Sequence, residues 1–129
     1  MAQIKIYSIR ESLDAMKAQL SDVIHSCVVE ALQFPADKRF HRFFPLDESD
    51  FLLPADKSSR YTIIEISMME GRTAETKRRL IYLLFERAQG ELSLSPDDLE
   101  ITITETPKCN WGFRGQTGDE IALNYKVDV

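Results

Sequence analysis

The sequence is poor in the residues that mark secreted, metal-binding and membrane proteins. It has two cysteines, Cys27 and Cys109, and two histidines among 129 residues, and no pair of them has a metal-ligand spacing. We interpret the cysteines as reduced thiols and predict neither a metal site nor a cofactor. No apolar run approaches the roughly 20 residues of a membrane span, and the first residues lack the pattern of a signal peptide. A cytoplasmic protein without a membrane partner is expected.

Charge of one sign is not concentrated anywhere along the chain. The 16 basic and 21 acidic residues are mixed and give a net charge of −5. A nucleic-acid-binding protein usually carries a basic patch, so no nucleic-acid partner is predicted. With 43% hydrophobic residues, the chain has the composition and length of one globular domain, over 1–129.

The first half of the chain predicts a strand, a long helix and a second strand. Residues 3–9 alternate between apolar and polar, which favours a strand. Ser12 is predicted to cap a helix that ends before Pro35. Residues 39–46 are rich in aromatics and are predicted to form the second strand. The apolar positions of the helix recur every three or four residues, which predicts that the Cys27 thiol is buried: Leu13, Met16, Leu20, Val23, Ile24, Cys27, Val28, Ala31 and Leu32.

The second half predicts the same order of elements. Polar residues and Pro at 47–59 indicate a loop, and residues 60–69 a strand. A second helix is predicted to begin at Thr73 and to be closed by Pro96. Residues 99–106 alternate cleanly and predict another strand. The apolar face of this helix consists of Leu80, Ile81, Leu84, Phe85, Ala88 and Leu92.

The two halves are interpreted as a duplication. Three pairs of matching residues are 61 positions apart: Ser12 with Thr73, Pro35 with Pro96, and Asp37 with Asp98. The repeats cover about 3–46 and 60–106, and a segment at 107–129 follows them. Residues 121–129 are predicted to form a short final strand.

A duplicated βαβ unit predicts the fold class. Each unit is a right-handed crossover between parallel strands. The prediction is therefore an α/β (more strictly α+β) fold, with a four-stranded core sheet and both helices on one face. The other face includes Tyr7, Phe44 and Met69, and we expect it to pack against further copies of the chain.

The stretch 107–120 has the composition of a binding site. It contains the only Trp, three of the five glycines, and Arg114 next to Phe113. Glycine allows close backbone approach, while Trp and Arg supply an apolar wall and anion recognition. The alternative is a core Trp followed by a tight turn. His41 has no metal partner or Ser nucleophile at a suitable spacing and is interpreted as structural.

Three motifs carry a resemblance to a known superfamily. They are Pro-Ala-Asp-Lys-Arg at 35–39, Ser-Pro-Asp-Asp at 95–98 and Asn-Trp-Gly-Phe-Arg-Gly at 110–115. Together with the duplicated βαβ units and the strand at the amino terminus, they resemble the tautomerase superfamily, near its malonate semialdehyde decarboxylase-like and 4-oxalocrotonate tautomerase-like branches. The resemblance implies a homotrimer that acts on a small carboxylate substrate without a cofactor.

The resemblance also implies a set of site residues. In the superfamily, removal of Met exposes an amino-terminal Pro that acts as general base or acid, and arginines hold the substrate carboxylate. Residue 2 is Ala here, and a primary amine at that position has a reference pKa of about 7.7–8.0. Lys38 stands where the decarboxylases have Asp, and their Arg-x-Arg pair is reduced to Arg72. The implied catalytic residues are Ala2, Arg72 and Asp37; the implied substrate-binding residues are Trp111, Phe113 and Arg42.

Two functions remain open at this point. One is an enzyme that interconverts the keto and enol forms of a small 2-oxo acid, with the terminal amine as base and Arg72 as carboxylate anchor. The other is a tautomerase-like trimer that has lost the proline chemistry and serves as a carboxylate-binding or structural protein. The changed family positions disfavour decarboxylation.

Overall fold

The computed structural model describes residues 2–129. Three 3-10 turns join the elements, at Glu48–Asp50, Pro96–Asp98 and Lys108–Asn110. Neither helix in the described range has the length and apolar character needed to cross a lipid bilayer. The main elements are β1 (Ala2–Ile9), α1 (Arg10–Leu32), β2 (His41–Leu46), β3 (Thr62–Met69), α2 (Ala74–Leu92), β4 (Leu99–Thr106) and the two short strands of a hairpin, β5 (Gly112–Phe113) and β6 (Gln116–Thr117).

The four long strands form one mixed sheet in the order β2-β1-β3-β4. β1 and β2 are parallel, β3 and β4 are parallel, and β1 and β3 are antiparallel at the centre. α1 and α2 pack against each other and against one face of the sheet, where Ile6 and Ile64 are almost fully buried. The predicted four-stranded core with both helices on one face is confirmed.

α1 begins immediately after β1, and its predicted cap is wrong. The N-cap residue is Ile9, which has no side-chain cap, and the Ser12 hydroxyl instead donates to the Ser59 carbonyl at 2.8 Å. Since Ser12 already lies inside the first turn, its side chain is used to hold the loop before β3. The helix ends before Pro35, as predicted, on Gln33 with a left-handed φ of 53°. Cys27 is fully buried, and this burial raises the pKa of its thiol.

α2 has the predicted start but an earlier end. Thr73 is its N-cap, and the hydroxyl accepts from the Thr76 amide at 3.1 Å. The helix ends at Leu92 because Ser93 adopts a left-handed φ of 54°, so it is already closed before Pro96. Pro96 instead begins a 3-10 turn. The prediction that Pro96 closes the helix was therefore wrong.

The duplication is present, but its register is 60 rather than the predicted 61. Strands β1 and β3 start at residues 2 and 62 and have the same order of buried and half-buried positions. Gln33 and Ser93, which end the two helices, also differ by 60. Pro35 misled the sequence comparison: its carbonyl accepts from Lys38, as that of Ser95 accepts from Asp98, so Pro35 matches Ser95.

The sheet face opposite the helices carries an aromatic pair. The rings of Tyr7 and Phe44 stack with their centroids 4.8 Å apart, and Phe44 is 36% exposed. Met69 was predicted to belong to this uncovered surface, but it is fully buried. Its methyl group lies against Gly118, so a segment of the same chain covers it.

The predicted final strand at 121–129 does not form. These residues have no ladder partner and form an irregular segment. We call residues 119–129 the C-terminal strap. Val127 in the strap is buried, and the backbone carbonyl of Val129 accepts from the Thr73 amide at 2.9 Å. The alternating apolar residues therefore pack onto the start of α2 instead of pairing with a strand.

A pair of glycine substitutions tests how tightly the chain approaches itself at Gly118. A Cβ at Gly118 would lie 2.5 Å from the Lys108 carbonyl oxygen, so Gly118→Ala should destabilise the fold by about 1–3 kcal/mol. Gly90 has no atom within 4 Å of its Cβ position and lies inside α2. Gly90→Ala should therefore stabilise by about 0.5–1 kcal/mol. Urea unfolding of both variants measures the two effects, and equal midpoints would contradict the close packing.

Candidate functional site

The duplication gives the sheet two comparable ends, and among residues 2–129 the buried side-chain donors without a hydrogen-bond partner lie at one of them. We call the end where β1 starts the first end and the end where β1 finishes the second end. The start of α2 lies at the first end and the start of α1 at the second, because each helix runs antiparallel to the strand before it. With a register of 60, Arg72 at the first end corresponds to Ser12 at the second, and Trp111 corresponds to Phe51.

The polar groups of the second end form hydrogen bonds within the chain. Arg60 donates to the carbonyls of Leu92 at 2.8 Å and Ser93 at 2.9 Å, which caps the end of α2. Asp98 accepts from the amide and the hydroxyl of Ser58 at 2.9 and 2.6 Å. These bonds have the character of a structural connection between loop and helix.

Arg72 at the first end is a buried cation with unused donors. Arg72 is 5% exposed. It follows Gly71 in the chain, just after the end of β3. Its Nη1 donates to the Met69 carbonyl at 3.3 Å, but Nε and Nη2 are buried and find no acceptor among residues 2–129. Burial lowers the pKa of the guanidinium, and the nearby Tyr125, Glu105 and Asp128 partly offset that effect. A buried guanidinium with two unpaired donor nitrogens is suited to binding an anion.

Trp111 adds a third buried donor in the same region. Its indole Nε1 is buried and has no acceptor within the described part of the chain. Gly118 contacts both Trp111 and Met69. Its amide donates to the Trp111 carbonyl at 2.7 Å, and a Cβ added to Gly118 would lie 2.7 Å from the methyl carbon of Met69. The Met69 carbonyl in turn accepts from Arg72. Buried donors usually have partners, so the three unpaired donor nitrogens make this end of the sheet the candidate ligand site.

The C-terminal strap packs beside Gly71 and Thr73, the two chain neighbours of Arg72, and lines a cavity. The cavity has a volume of about 460 Å³, and its lining includes Lys108 and the strap residues Tyr125, Val127 and Asp128. Tyr125 and Asp128 interact electrostatically with Arg72. The ring of Tyr125 also packs edge-on against Phe34, with centroids 5.1 Å apart. Sequence reasoning missed Tyr125 and Asp128, since the alternation at 121–127 suggested only a strand.

Comparison with known proteins identifies the family of this chain. A sequence model of the family described as "Tautomerase enzyme" matches residues 38–114, which is more than half of the chain. The chain belongs to the tautomerase enzyme family. The matched range begins in the turn before β2 and ends in the hairpin that follows Trp111.

Other members of the tautomerase family align over most of this chain. The probable tautomerase YrdN of Bacillus subtilis is 26% identical over 100 residues, covering 74% of this chain and 77% of that protein. The probable tautomerase YusQ of the same organism is 25% identical over 100 residues and covers 74% and 79%.

Solved structures with the same fold cover nearly the full chain. The structure of FG41 malonate semialdehyde decarboxylase inhibited by 3-bromopropiolate is 27% identical, covers 94% of this chain and 98% of that one, and has a TM-score of 0.79. A native fused 4-OT has the same TM-score at 23% identity and covers 92% and 98%, which shows the fold.

The site residues implied for the tautomerase family lie at different depths. Ala2 starts β1 at the first end and is 2% exposed, with its Cα paired to that of Met68. Met1 lies outside the described residues. Asp37 is exposed in the turn before β2, and Arg42 is exposed on the open sheet face, where it donates to Gln3 Oε1 at 2.8 Å. The structure buries Arg72 and the Trp111 indole nitrogen, whereas Asp37 and Arg42 remain at the surface.

The hairpin after Trp111 brings Arg114 over the ring of Phe113. Adjacent residues of a strand point to opposite faces unless a turn redirects one of them, and here the Arg114 guanidinium carbon lies 5.6 Å from the centre of the Phe113 ring. The left-handed φ of 53° at Arg114 and the turn at Gly115 make this possible. The half-buried Phe113 is therefore part of the hairpin, which packs beside Trp111 through the Gly118 amide.

His41 has a Ser partner that its sequence position did not reveal. Its Nδ1 lies 2.8 Å from the Ser21 hydroxyl of α1. Burial and the nearby Arg39 and His25 lower the pKa of His41 to about 4. An imidazole that stays neutral at physiological pH and bonds a buried Ser is suited to holding β2 against α1, in agreement with a structural role.

Proposed function

We propose that this chain catalyses the keto-enol tautomerisation of a small 2-oxo acid. The amine of Ala2, freed by removal of Met1, acts as general base and takes the proton from the carbon next to the keto group. Arg72 binds the substrate carboxylate. The proton returns to the product from the same amine, so no net proton is consumed.

The unused N–H groups of Arg72 carry this proposal. Nε and Nη2 are buried without an acceptor in the range 2–129, and they lie beside the start of α2, where the helix dipole favours an anion. A carboxylate can accept from both nitrogens of such a fork. The second end of the sheet has Ser12 at the matching position and offers no comparable group.

The surroundings of Ala2 suit an amine that acts as a base. Its side chain belongs to the apolar core together with Ile4 and Met68. An apolar environment disfavours the charged form of an amine, so the neutral and basic form is favoured. The cation at Arg72 is located at the same end of the sheet and acts in the same direction.

The remaining site residues have supporting roles in the proposal. Trp111 supplies an apolar wall and a third donor, and Phe113 extends that wall. Arg42 on the open face is placed to meet a neighbouring subunit, where it adds positive charge to a site shared between copies. Asp37 lies in the turn just before Phe40, whose carbonyl accepts from the Ile4 amide, and it exchanges protons with solvent at the rim.

The proposed enzyme is a homotrimer that buries its open sheet faces at the centre. Related solved structures include fused 4-OT proteins described as asymmetric and symmetric trimers. In this chain Tyr7 and Phe44 stack on the open face, and Ile63 lines a shallow apolar hollow of about 320 Å³ beside Tyr7. An exposed apolar surface of this kind is typical of a subunit interface.

A charge on the open face should dissociate the trimer. Phe44→Asp places an unpaired carboxylate in the proposed interface, so light scattering should give about 14.8 kDa instead of three times that mass. Tyr82→Asp is the control, since Tyr82 is 66% exposed on the outside of α2. A wild-type protein that scatters as a monomer at micromolar concentration would remove the trimer from the proposal.

A second function is favoured by the residues around Arg72. Glu70 and Gly71 replace the first part of the arginine pair, and residue 2 is Ala. These changes support a protein that binds a small carboxylate through Arg72 without catalysis. The two functions share the anion site and differ only in the role of the amine.

One assay separates the two functions. Ketonisation of the enol form of phenylpyruvate is followed in the wild type and in Ala2→Pro, and intact mass shows whether Met1 is absent. Wild-type activity above the buffer rate supports the enzyme. Binding of phenylpyruvate without turnover in either form, with Met1 absent, supports the binding protein.

A further inference from the structure

The anion site at Arg72 is closed by the chain itself. Nε and Nη2 have no solvent contact, so a carboxylate reaches them only after a neighbouring segment moves. The segment next to them is the C-terminal strap, because Asp128 and Val127 lie beside Gly71 and the Val129 carbonyl accepts from the Thr73 amide. A buried charged donor without a partner costs free energy, which favours opening when an anion is present.

The strap places oxygen acceptors at the start of α2, as a carboxylate ligand would. The carbonyl oxygen of Val129 accepts from the Thr73 amide at 2.9 Å, which occupies one free N–H of the helix start. The Asp128 carboxylate lies beside Gly71, where an added Cβ would be only 2.6 Å from its Oδ1. A carboxylate and a carbonyl thus lie beside the two chain neighbours of Arg72, and neither forms a hydrogen bond with its Nε or Nη2.

The attachment of the strap is weak compared with that of the core. Within the strap only Val127 is buried, and Ile121, Leu123 and Tyr125 are half-buried. The segment has no ladder hydrogen bonds. A region with few buried contacts opens at a small free-energy cost, well below that of global unfolding.

We propose that the C-terminal strap is an internal competitor of the carboxylate ligand and that Asp128 sets the affinity of the site. This inference rests on the proposed function, in which Arg72 is the carboxylate anchor. In the closed state the carboxylates of Glu105 and Asp128 supply negative charge near Arg72, and of the two only Asp128 belongs to the strap. In the open state the ligand carboxylate replaces Asp128 and bonds to Nε and Nη2, so binding and opening of the strap are coupled.

Pyruvate binding to matched variants tests the competitor. The emission of Trp111, the only Trp, reports binding, and calorimetry gives the dissociation constant. Asp128→Asn should bind pyruvate about five- to tenfold more tightly than the wild type. Asp119→Asn removes the same charge from the same cavity wall, but it is Asp128 that lies beside Gly71, so the affinity of the Asp119 variant should stay within about twofold.

Hydrogen exchange separates competition from simple charge repulsion. Under the proposal, saturating pyruvate speeds exchange at the amides of residues 125–129 because the strap is displaced. If pyruvate speeds amide exchange at residues 125–129 of the wild type, the proposal that the strap competes with the ligand is supported, even if one variant folds poorly. Slower exchange there would overturn it, since the ligand would then bind beneath or beside a strap that stays closed.

The two proposals fail in different ways. If Arg72→Met binds pyruvate as well as the wild type, the carboxylate anchor of the proposed function is overturned. If Arg72 is required but Asp128→Asn, Asp119→Asn and the wild type bind equally, the anchor stands and the internal competitor is overturned.

Discussion

Replacing Arg72 by Met should abolish carboxylate binding and at the same time make the protein more stable. The substitution removes both unpaired donor nitrogens, so about 2–5 kcal/mol of transition-state stabilisation should be lost. For a 2-oxo acid, kcat/KM should therefore fall roughly 30-fold or more. The same change removes a buried charge that has only one hydrogen bond, to the Met69 carbonyl. Stability should therefore rise by about 1–3 kcal/mol, because the unpaired donors no longer need to be buried.

The combined readout separates a binding residue from a structural one. Thermal melting without ligand should show an increase of about 2–8 °C for Arg72→Met. Arg78→Met on the exposed face of α2 is the control for loss of a positive charge and should change neither quantity noticeably. A fall in melting temperature with unchanged kcat/KM would show that Arg72 serves only the fold.

The second large effect concerns the amine at residue 2. A protein that keeps Met1 has an amide at the Ala2 nitrogen, which is not a base at any accessible pH. Its tautomerase activity should be lower than that of the processed protein by about 10²–10⁴-fold, the usual contribution of a positioned general base. The comparison uses one sequence, so the packing of the Ala2 side chain in the core is unchanged.

The processed and unprocessed forms are obtained with and without inhibition of the methionine-removing enzyme during expression. Intact mass identifies each form, and phenylpyruvate ketonisation gives the rates. Ala2→Pro, also processed, should be at least as active as the wild type, because it restores the secondary amine of the superfamily. Equal rates with and without Met1 would rule out the terminal amine and leave the carboxylate-binding protein.

The duplication provides a comparison within the molecule that sharpens the assignment of the site. Two ends of one sheet share strand registers, helix ends and 3-10 turns at an interval of 60 residues, for example between Glu48–Asp50 and Lys108–Asn110. Arg72 and Trp111 at one end have buried N–H groups without acceptors, while Arg60 and Asp98 at the other end are bonded. The repeated strands and turns are common to both ends, whereas the buried donors occur where Arg72 and Trp111 replace Ser12 and Phe51, so we assign the ligand site to the first end.

Periodicity in the sequence determined the long helices and the sheet, but not the C-terminal strap, where alternation at 121–127 wrongly predicted a strand. The alternation in β1, β3 and β4 and the apolar spacing in α1 and α2 each match a single face of a strand or helix, so local pattern was sufficient. The right-handed crossover then fixed which strands are parallel. The motifs around 95–98 and 110–115 were enough to indicate the tautomerase family.

The sequence did not predict which of several polar groups forms a given hydrogen bond at the helix ends and turns. Ser12 and Thr73 have the same capping chemistry, but only Thr73 lies at an N-cap, since Ser12 is drawn to the Ser59 carbonyl. Pro35 and Pro96 look equivalent, yet they occupy different positions in matching turns. A shift of one residue in an otherwise faithful repeat has no signature in composition.

The tertiary structure alone decided the burial of Arg72 and the course of the strap. The sequence determined that an arginine stands at the start of α2, but a residue at a helix start is exposed or buried according to what packs over it. Here Val127 anchors the strap and brings Asp128 beside Gly71, across more than 50 residues of intervening chain. Such a long-range contact has no local periodicity, because it depends on chain segments that meet only after the sheet has formed.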